Sequence, residues 1–373
     1  MKYFRRSPIA QIRLRLIDCL CQLHSMLRQP LPLPKQIQRI LIANPAHLGD
    51  AVITTAVLRE LKKQSPQLMI DVLCGSWSAP IFEGHPAVNQ IFTLDLPMLN
   101  RRPVSAKAKQ TQYRIGYQQL ETTLSKEQYD LVASLYAYEP SYIPMLHKLV
   151  KAPILGFSSA GYGPLLTKSF NTTHFDWHEA QHQAKILEDL LGEPKPREDY
   201  QVWLEQGKPA ISAGIPYVVL HPGTGEPSKE WSLDGWQKVI DHLRMRNVRI
   251  VITGHGEREQ ELAAALTRGA NGLAVENCVG QLSFKNFCQT IAGASLLISV
   301  ESVAAHIASS YQVPTLIAAF GKTNLRRWQP LGEHTQLMNM QRDSKNSEKL
   351  FLECLDDLLN QQNITPNESF KTS

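Results

Sequence analysis

The chain has 373 residues, 43% hydrophobic and 20% charged, which excludes intrinsic disorder and leaves room for two ordinary domains with separate cores. Its 39 basic and 34 acidic residues give a net charge of +5, too slight a bias to define a nucleic-acid-binding protein. The six cysteines, at 19, 21, 74, 278, 288 and 354, form no C-x-x-C pair, so neither a zinc ribbon nor a disulfide framework follows and reduced thiols are expected.

The first 35 residues stand apart. Ile9, Ile12, Leu16, Leu20, Leu23 and Leu27 fall on one helical stripe, with Arg5, Arg6, Arg13, Arg15 and Arg28 around it. "QPLPLPK" ends the helix, since proline lacks an amide hydrogen and its ring collides with the preceding turn. Such a helix either packs on the protein's own surface or lies apolar side down on an anionic membrane. No early apolar run reads as a signal segment, and none reaches the roughly 18 residues of a spanning helix.

Beyond it, strands and helices alternate. "RILIA" (39–43) is a strand, followed by a turn and a helix from 51; further strands are "LMIDVLC" (68–74), "VNQIFTLD" (88–95), "DLVASL" (130–135) and "PILGF" (153–157). Residues 191–216, rich in proline, glycine and charge, read as a linker. The alternation then restarts, with strands at 217–220, 248–254, 295–300 and 314–320, helices at 233–246, 257–267, 283–291 and from 302, and a last helix at 347–362. Short apolar strands separated by helices predict two Rossmann-like, doubly wound parallel sheets. The expected division is 1–35, the basic helix and its proline-rich linker; 36–205 and 206–345, the two α/β domains; and 346–373, the final helix and polar tail. Ligands of open parallel sheets bind beyond the carboxyl ends of the strands, and two such domains would face each other across a cleft.

The candidate residues therefore follow strands. After the first strand, Gly49 permits a tight turn, and Asp50 is open to two readings: N-cap of the next helix, or general base at the strand end. After 217–220 comes "HPGTGEPSKEW", where Gly223 and Lys229 have the separation of a P-loop. Ser228 and Glu230 replace its second glycine and its hydroxyl residue, so magnesium-dependent nucleotide hydrolysis does not follow. Gly223, Thr224 and Gly225 can still present backbone N–H groups and a hydroxyl to an anion, with Lys229 as a point charge; the plainer alternative is a glycine turn with a solvated lysine. Trp231 and Trp236 are expected to pack the following helix. After 248–254, Glu257 either starts a helix or accepts hydrogen bonds from a ribose. After 295–300, "ESVAAHIAS" places Glu301 at the strand end and His306 about a turn into the helix. The segment 100–114 carries Arg101, Arg102, Lys107, Lys109 and Arg114 without an acidic residue, as a solvated loop or as a contact for an anionic acceptor or membrane.

Taken in order, "LGDAVITTAVLRELKKQSP", "HPGTGEPSKEW", "ITGHGERE", "ESVAAHIA" and "FGKTN" resemble the motifs of glycosyltransferase family 9, the ADP-heptose:lipopolysaccharide heptosyltransferases, across residues 38–340. The resemblance implies a GT-B fold, with an acceptor-binding first half and a nucleotide-sugar-binding second half. It implies an inverting transfer without metal or cofactor. Asp50 would deprotonate the acceptor hydroxyl. Lys229, with Thr224 and the backbone of Gly223 to Gly225, would neutralise the diphosphate leaving group. Glu257 would hold the ribose, and Glu301, Ser302 and His306 would line the donor site. At that helix the family pattern is Asp, Ser or Thr, Gly, two residues and His; here Glu301 and Val303 depart from it. The implied partners are a nucleotide-sugar and a phosphorylated glycolipid, with peripheral contact to the inner face of the bacterial membrane, no nucleic acid, and a monomeric cytoplasmic protein. Two readings stay open beside transfer: a nucleotide-sugar 2-epimerase of the same fold, and a non-catalytic nucleotide-sugar or glycolipid binder.

Overall fold

The apolar runs form strands because a parallel sheet covered on both faces buries every residue of its central strands. In the computed structural model, which describes residues 7–26, 31–171, 176–205, 216–268, 275–321, 323–342, 344–362 and 364, Ile40, Leu41, Ile42 and Ala43 of the first strand are all fully buried. The chain divides into two units, Met1–Glu205 and Gln206–Ser373.

In the first unit, β1 (Arg39–Asn44), β2 (Met69–Cys74), β3 (Val88–Thr93), β4 (Leu131–Ser134), β5 (Ile154–Phe157) and β6 (Lys168–Phe170) form one sheet. Its order is β3-β2-β1-β4-β5-β6, and every pairing is parallel; Ile42 of β1, for example, sits opposite Val72 on one side and Ala133 on the other. The helices are α1 (Pro8–Met26), α2 (Leu48–Gln64), α3 (Ala79–Phe82), α4 (Ala106–Thr123), α5 (Ile143–Leu149), α6 (Glu179–Ile186) and α7 (Glu188–Leu191). Right-handed crossovers running outward from β1 and then from β4 place helices on opposite faces of the sheet.

The second unit repeats this plan. Strands β7 (Tyr217–His221), β8 (Arg249–Ile252), β9 (Val275–Asn277), β10 (Leu296–Val300), β11 (Thr315–Ala319) and β12 (Thr335–Asn339) run parallel in the order β12-β11-β10-β7-β8-β9. Its helices are α8 (Leu233–Met245), α9 (Glu257–Thr267), α10 (Phe284–Ala292), α11 (Val303–Ser310), α12 (Leu325–Trp328) and α13 (Lys345–Gln361). Trp231 and Trp236 pack as expected, their ring centroids 5.1 Å apart, and Phe351 of α13 meets Trp231 edge-on at 4.9 Å. The final helix is thus part of this core, burying Phe351, Leu355, Leu358 and Leu359. Both units are doubly wound parallel sheets, the GT-B class of architecture.

Three local readings change. The segment 100–114 is largely helix rather than loop: the Ser105 hydroxyl accepts the Ala108 N–H at 3.2 Å and caps α4. That helix buries only Leu120 outright, so it carries little of the amphipathic pattern that would have revealed it. Asp50 is not an N-cap. His47 holds that position, α2 starts at Leu48, and Asp50 falls in the first turn, where a carboxylate favours the positive helix end. The third concerns α1, whose buried residues are Leu14, Asp18 and Cys21, while Ile9, Ile12, Leu16, Leu20 and Leu23 face outward. Leu27, Arg5, Arg6 and Arg28 lie outside the described residues. Strands β6, β9 and β12 escaped the sequence reading as short or half-buried edge strands. No helix among the described residues is long and apolar enough to cross a membrane.

One charged cluster interrupts the first sheet. Asp71 of β2, fully buried, accepts hydrogen bonds from Arg39 Nε at 2.9 Å, Tyr129 Oη at 2.8 Å and Asn89 Nδ2 at 2.8 Å. Arg39 also pairs with Glu127 at 2.6 Å. Removing the guanidinium leaves a buried carboxylate without its counter-charge. Arg39→Ala is therefore expected to cost about 3 kcal/mol, read as a lower midpoint in urea unfolding of the full chain.

Candidate active site

A sheet ordered 3-2-1-4-5-6 reverses its direction of growth between its first and fourth strands, and the turns leaving those two strands emerge side by side. In the second unit they are the turns after β7 and β10. The Thr224 hydroxyl donates to the Glu301 carbonyl at 3.2 Å, tying the two together. Lys229 Nζ lies 3.7 Å from Glu301 Oε1 and 3.9 Å from Glu226 Oε2, mostly shielded from solvent. Ser302 caps α11 by position, but its hydroxyl turns back to Ser299 Oγ at 2.8 Å, and Ser299 in turn donates to the His221 carbonyl at 3.1 Å. Gly321, after β11, closes the group: a Cβ there would stand 3.4 Å from both Glu301 Oε2 and Lys229 Cγ. Among the described residues, the buried Glu301 Oε2 has no hydrogen-bond partner. The arrangement supplies a cation, a hydroxyl and an open acceptor at one sheet end. His306 lies at the end of the first turn of α11 and is half-buried.

Glu230, whose charge would oppose a phosphate, is ion-paired with Arg258 of α9. In the acidic turn after β8, Glu257 starts the helix, the first of its two sequence readings. Glu257 is exposed at the first position of α9, behind Gly256, whose φ of +98° favours glycine. Two residues on, the Glu259 carboxylate folds back, accepts the His255 N–H at 2.9 Å, and occupies the space above Gly223 and Gly254. A Cβ on either glycine would collide with it. Burial raises the pKa of Glu259. The signal was present in the sequence, since the third residue of a helix, not the first, is the one that reaches back over the N-terminus.

In the first unit the corresponding turns follow β1 and β4. The turn after β1 is held from several sides: Asn44 Oδ1 accepts the Ala46 N–H at 3.2 Å, and the Ala46 carbonyl accepts from Trp77 Nε1 at 2.8 Å and Ser78 Oγ at 2.9 Å. The buried Thr54 hydroxyl accepts from Asn44 Nδ2 at 2.7 Å and lies 2.9 Å from the Asp50 carbonyl oxygen and 3.0 Å from Gln183 Oε1. This network joins β1, α2 and α6 and fixes where the first turn of α2 presents Asp50. Tyr136, just beyond β4, has its phenol pKa raised by burial and next by the Asp50 charge, so the two side chains share one neighbourhood. Sequence reasoning had not singled out Tyr136 or Glu259.

The family model described as glycosyltransferase family 9 (heptosyltransferase) matches residues 117–354, well over half of the chain. The chain belongs to glycosyltransferase family 9. Lipopolysaccharide heptosyltransferase 1 of Pseudomonas aeruginosa is 26% identical over 293 residues, 77% of this chain and 79% of that protein. Lipopolysaccharide heptosyltransferase 3 of Escherichia coli K12 is 27% identical over 305 residues, covering 77% and 83% respectively. Among solved structures, E. coli heptosyltransferase WaaC with ADP shares the fold at a TM-score of 0.69 and 18% identity, covering 87% of this chain and 99% of that one. Membership makes the protein a glycosyltransferase.

In this family 9 chain the basic residues of the first unit do not act as one cluster. Arg101 lies near His47, and its charge, after burial, helps lower that imidazole's pKa to about 4. Arg102 reaches Ser76 Oγ at 3.3 Å, and Lys109 donates to the Asn100 carbonyl at 2.6 Å. Lys107 and Arg114 are exposed on α4. Arg101 is thereby connected to the strand end that carries Asp50, its charge being felt at both His47 and Tyr136.

His85 and His221 share the fate of His47, both lowered to about 4 chiefly by burial. Below pH 6.5 the unfolded chain binds these protons and the folded chain does not, so stability is lost as the pH falls from 6.5 towards 4. Each histidine adds about 1.4 kcal/mol per pH unit to the slope. Denaturant unfolding across that window is expected to show His221→Gln with a slope shallower by one proton.

Proposed function

We propose that the protein is an inverting, metal-independent glycosyltransferase that moves a heptose or related sugar from a nucleotide-sugar, ADP-heptose foremost, to the lipopolysaccharide core or a similar phosphorylated glycolipid. The reading rests on one observation: Lys229, Thr224 and the open Glu301 oxygen gather at the strand reversal of the second unit in a heptosyltransferase-family chain. WaaC, which shares the fold, was solved with ADP, in keeping with an adenine nucleotide.

The acceptor hydroxyl attacks the anomeric carbon as the bond from that carbon to the diphosphate oxygen breaks, and a single displacement inverts the centre. Asp50 takes the hydroxyl proton. The leaving diphosphate gains negative charge, which Lys229 and the N–H groups of Gly223 to Gly225 neutralise, joined by the Thr224 hydroxyl once it turns from the Glu301 carbonyl. Because a protein cation fills this role, no metal is required by the chemistry. Glu259, rather than Glu257, accepts the ribose hydroxyls, since its carboxylate already lies over the two glycine turns. Glu301 Oε2 accepts from a sugar hydroxyl, with Ser302 and His306 beside it. As Glu301 and Val303 depart from the family pattern, they set the choice of sugar. Arg101 receives an acceptor phosphate near Asp50. The acceptor is met at the cytoplasmic face of the inner membrane.

Asp50→Asn is expected to lower kcat by about 10²–10⁴ while the Kd for the nucleotide-sugar, followed by thermal shift, stays near that of the native chain. Near-native turnover in that variant removes the base assignment. Lys229→Ala is expected to lower kcat by roughly a hundredfold or more. Incubation with donor alone is expected to leave the sugar unisomerised; an isomerised product would establish the 2-epimerase reading instead.

A further inference from the structure

The outward face of α1 has no role in the transfer just described. Ile9 is 81% exposed, Ile12 57%, Leu16 61%, Leu20 68% and Leu23 61%. Successive helical residues stand about 100° apart, so these five fall within roughly 80° of arc and form one continuous apolar stripe. Met26, 75% exposed, widens its far end. The opposite side of the helix is anchored: Leu14, Asp18 and Cys21 are buried, and Gly161, with a φ of +94°, lies directly beneath, where a Cβ would stand 3.2 Å from Leu14 Cδ2. The helix is held in one rotational setting, with the stripe turned away from the core.

An exposed apolar face of this kind on a soluble domain marks a contact surface. Its charge identifies the contact. Arg13 borders the stripe on one side and Arg15 lies beyond Met26 on the other, both exposed. Residues 1–35 contain seven basic residues, Lys2, Arg5, Arg6, Arg13, Arg15, Arg28 and Lys35, and one acidic residue, Asp18, which is on the buried face. A second copy of this chain would set basic flanks against basic flanks. An anionic bilayer instead offers hydrocarbon to the stripe and phosphate to the arginines, whose stems can lie along the apolar surface while their heads reach upward.

We infer that α1 is a membrane-docking helix that lies flat in the headgroup region of an anionic bilayer, with Ile9, Ile12, Leu16, Leu20 and Leu23 inserted and Arg13 and Arg15 at the phosphates. It does not span. The inference rests on the proposed function only for taking the inner bacterial leaflet as the natural surface; the docking itself requires neither donor nor acceptor.

The test uses the purified full chain in co-sedimentation with vesicles rich in phosphatidylglycerol and with pure phosphatidylcholine vesicles. The native chain is expected to bind the anionic vesicles, with binding weakened by high salt. The double variant L16E/L20E, at two exposed positions, is expected to keep its Tm while its affinity for those vesicles falls by at least about tenfold. R13E/R15E is expected to lose the preference for phosphatidylglycerol. Absence of native binding, equal binding by L16E/L20E, or a native dimer that this variant turns into a monomer in sedimentation velocity each overturns the inference. Transfer to a detergent-dispersed acceptor, measured in parallel, reports on the proposed reaction separately.

Discussion

A parallel sheet that grows outward from its first strand and then turns back past it must leave two neighbouring strands whose following turns emerge at the same end, with no crossover between them. Both units of this protein are built on that constraint. Because β1 pairs with β4, the turn carrying Asp50 emerges next to the one carrying Tyr136; because β7 pairs with β10, the Gly223 to Lys229 loop emerges next to Glu301. Residues separated by 77 positions in sequence, Thr224 and Glu301, are thereby brought within a hydrogen bond. The chemistry assigned to the second unit depends on this juxtaposition, since a lysine alone after a strand would be only a solvated cation.

The phosphate-like loop is also informative in its charge balance. Lys229 has carboxylates at 3.7 and 3.9 Å, and a third, Glu230, is drawn off by Arg258. Such a lysine is held in place rather than left to sweep through solvent, and an arriving diphosphate would compete with carboxylates for it. A Cβ at Gly223 would in turn push the Glu259 carboxylate from its place over the turn. Under the proposed function, what resembles a damaged P-loop would be a different anion site, with the Lys229 cation in place of a glycine nest and a metal.

Much of this was legible along the chain, for identifiable reasons. Central strands such as β1, β7 and β10 are nearly continuous apolar runs, so their ends, and the residues after them, could be located directly. Edge strands β6, β9 and β12 carry no such run. The helix α4 was hidden because most of its surface is solvated and polar. Asp50 could be read as a cap, because Gly-Asp before a helix fits one, until the backbone showed the helix beginning two residues earlier. Glu257 and Glu259 are equivalent as letters; the direction of a side chain in the first turn separates them.

The sequence by itself determined the class of fold and the family, and it located the ends of the central strands, because apolar periodicity and glycine turns are local properties. It also revealed the basic amphipathic character of the first helix. Only the tertiary structure decided which face of that helix is buried, because the Leu14 side meets Gly161 and its neighbours across a contact of high sequence separation. The same holds for the acidic residue that turns inward after β8 and for the joining of Lys229 to Glu301. These are set by packing and by strand order, which no local pattern of residues encodes.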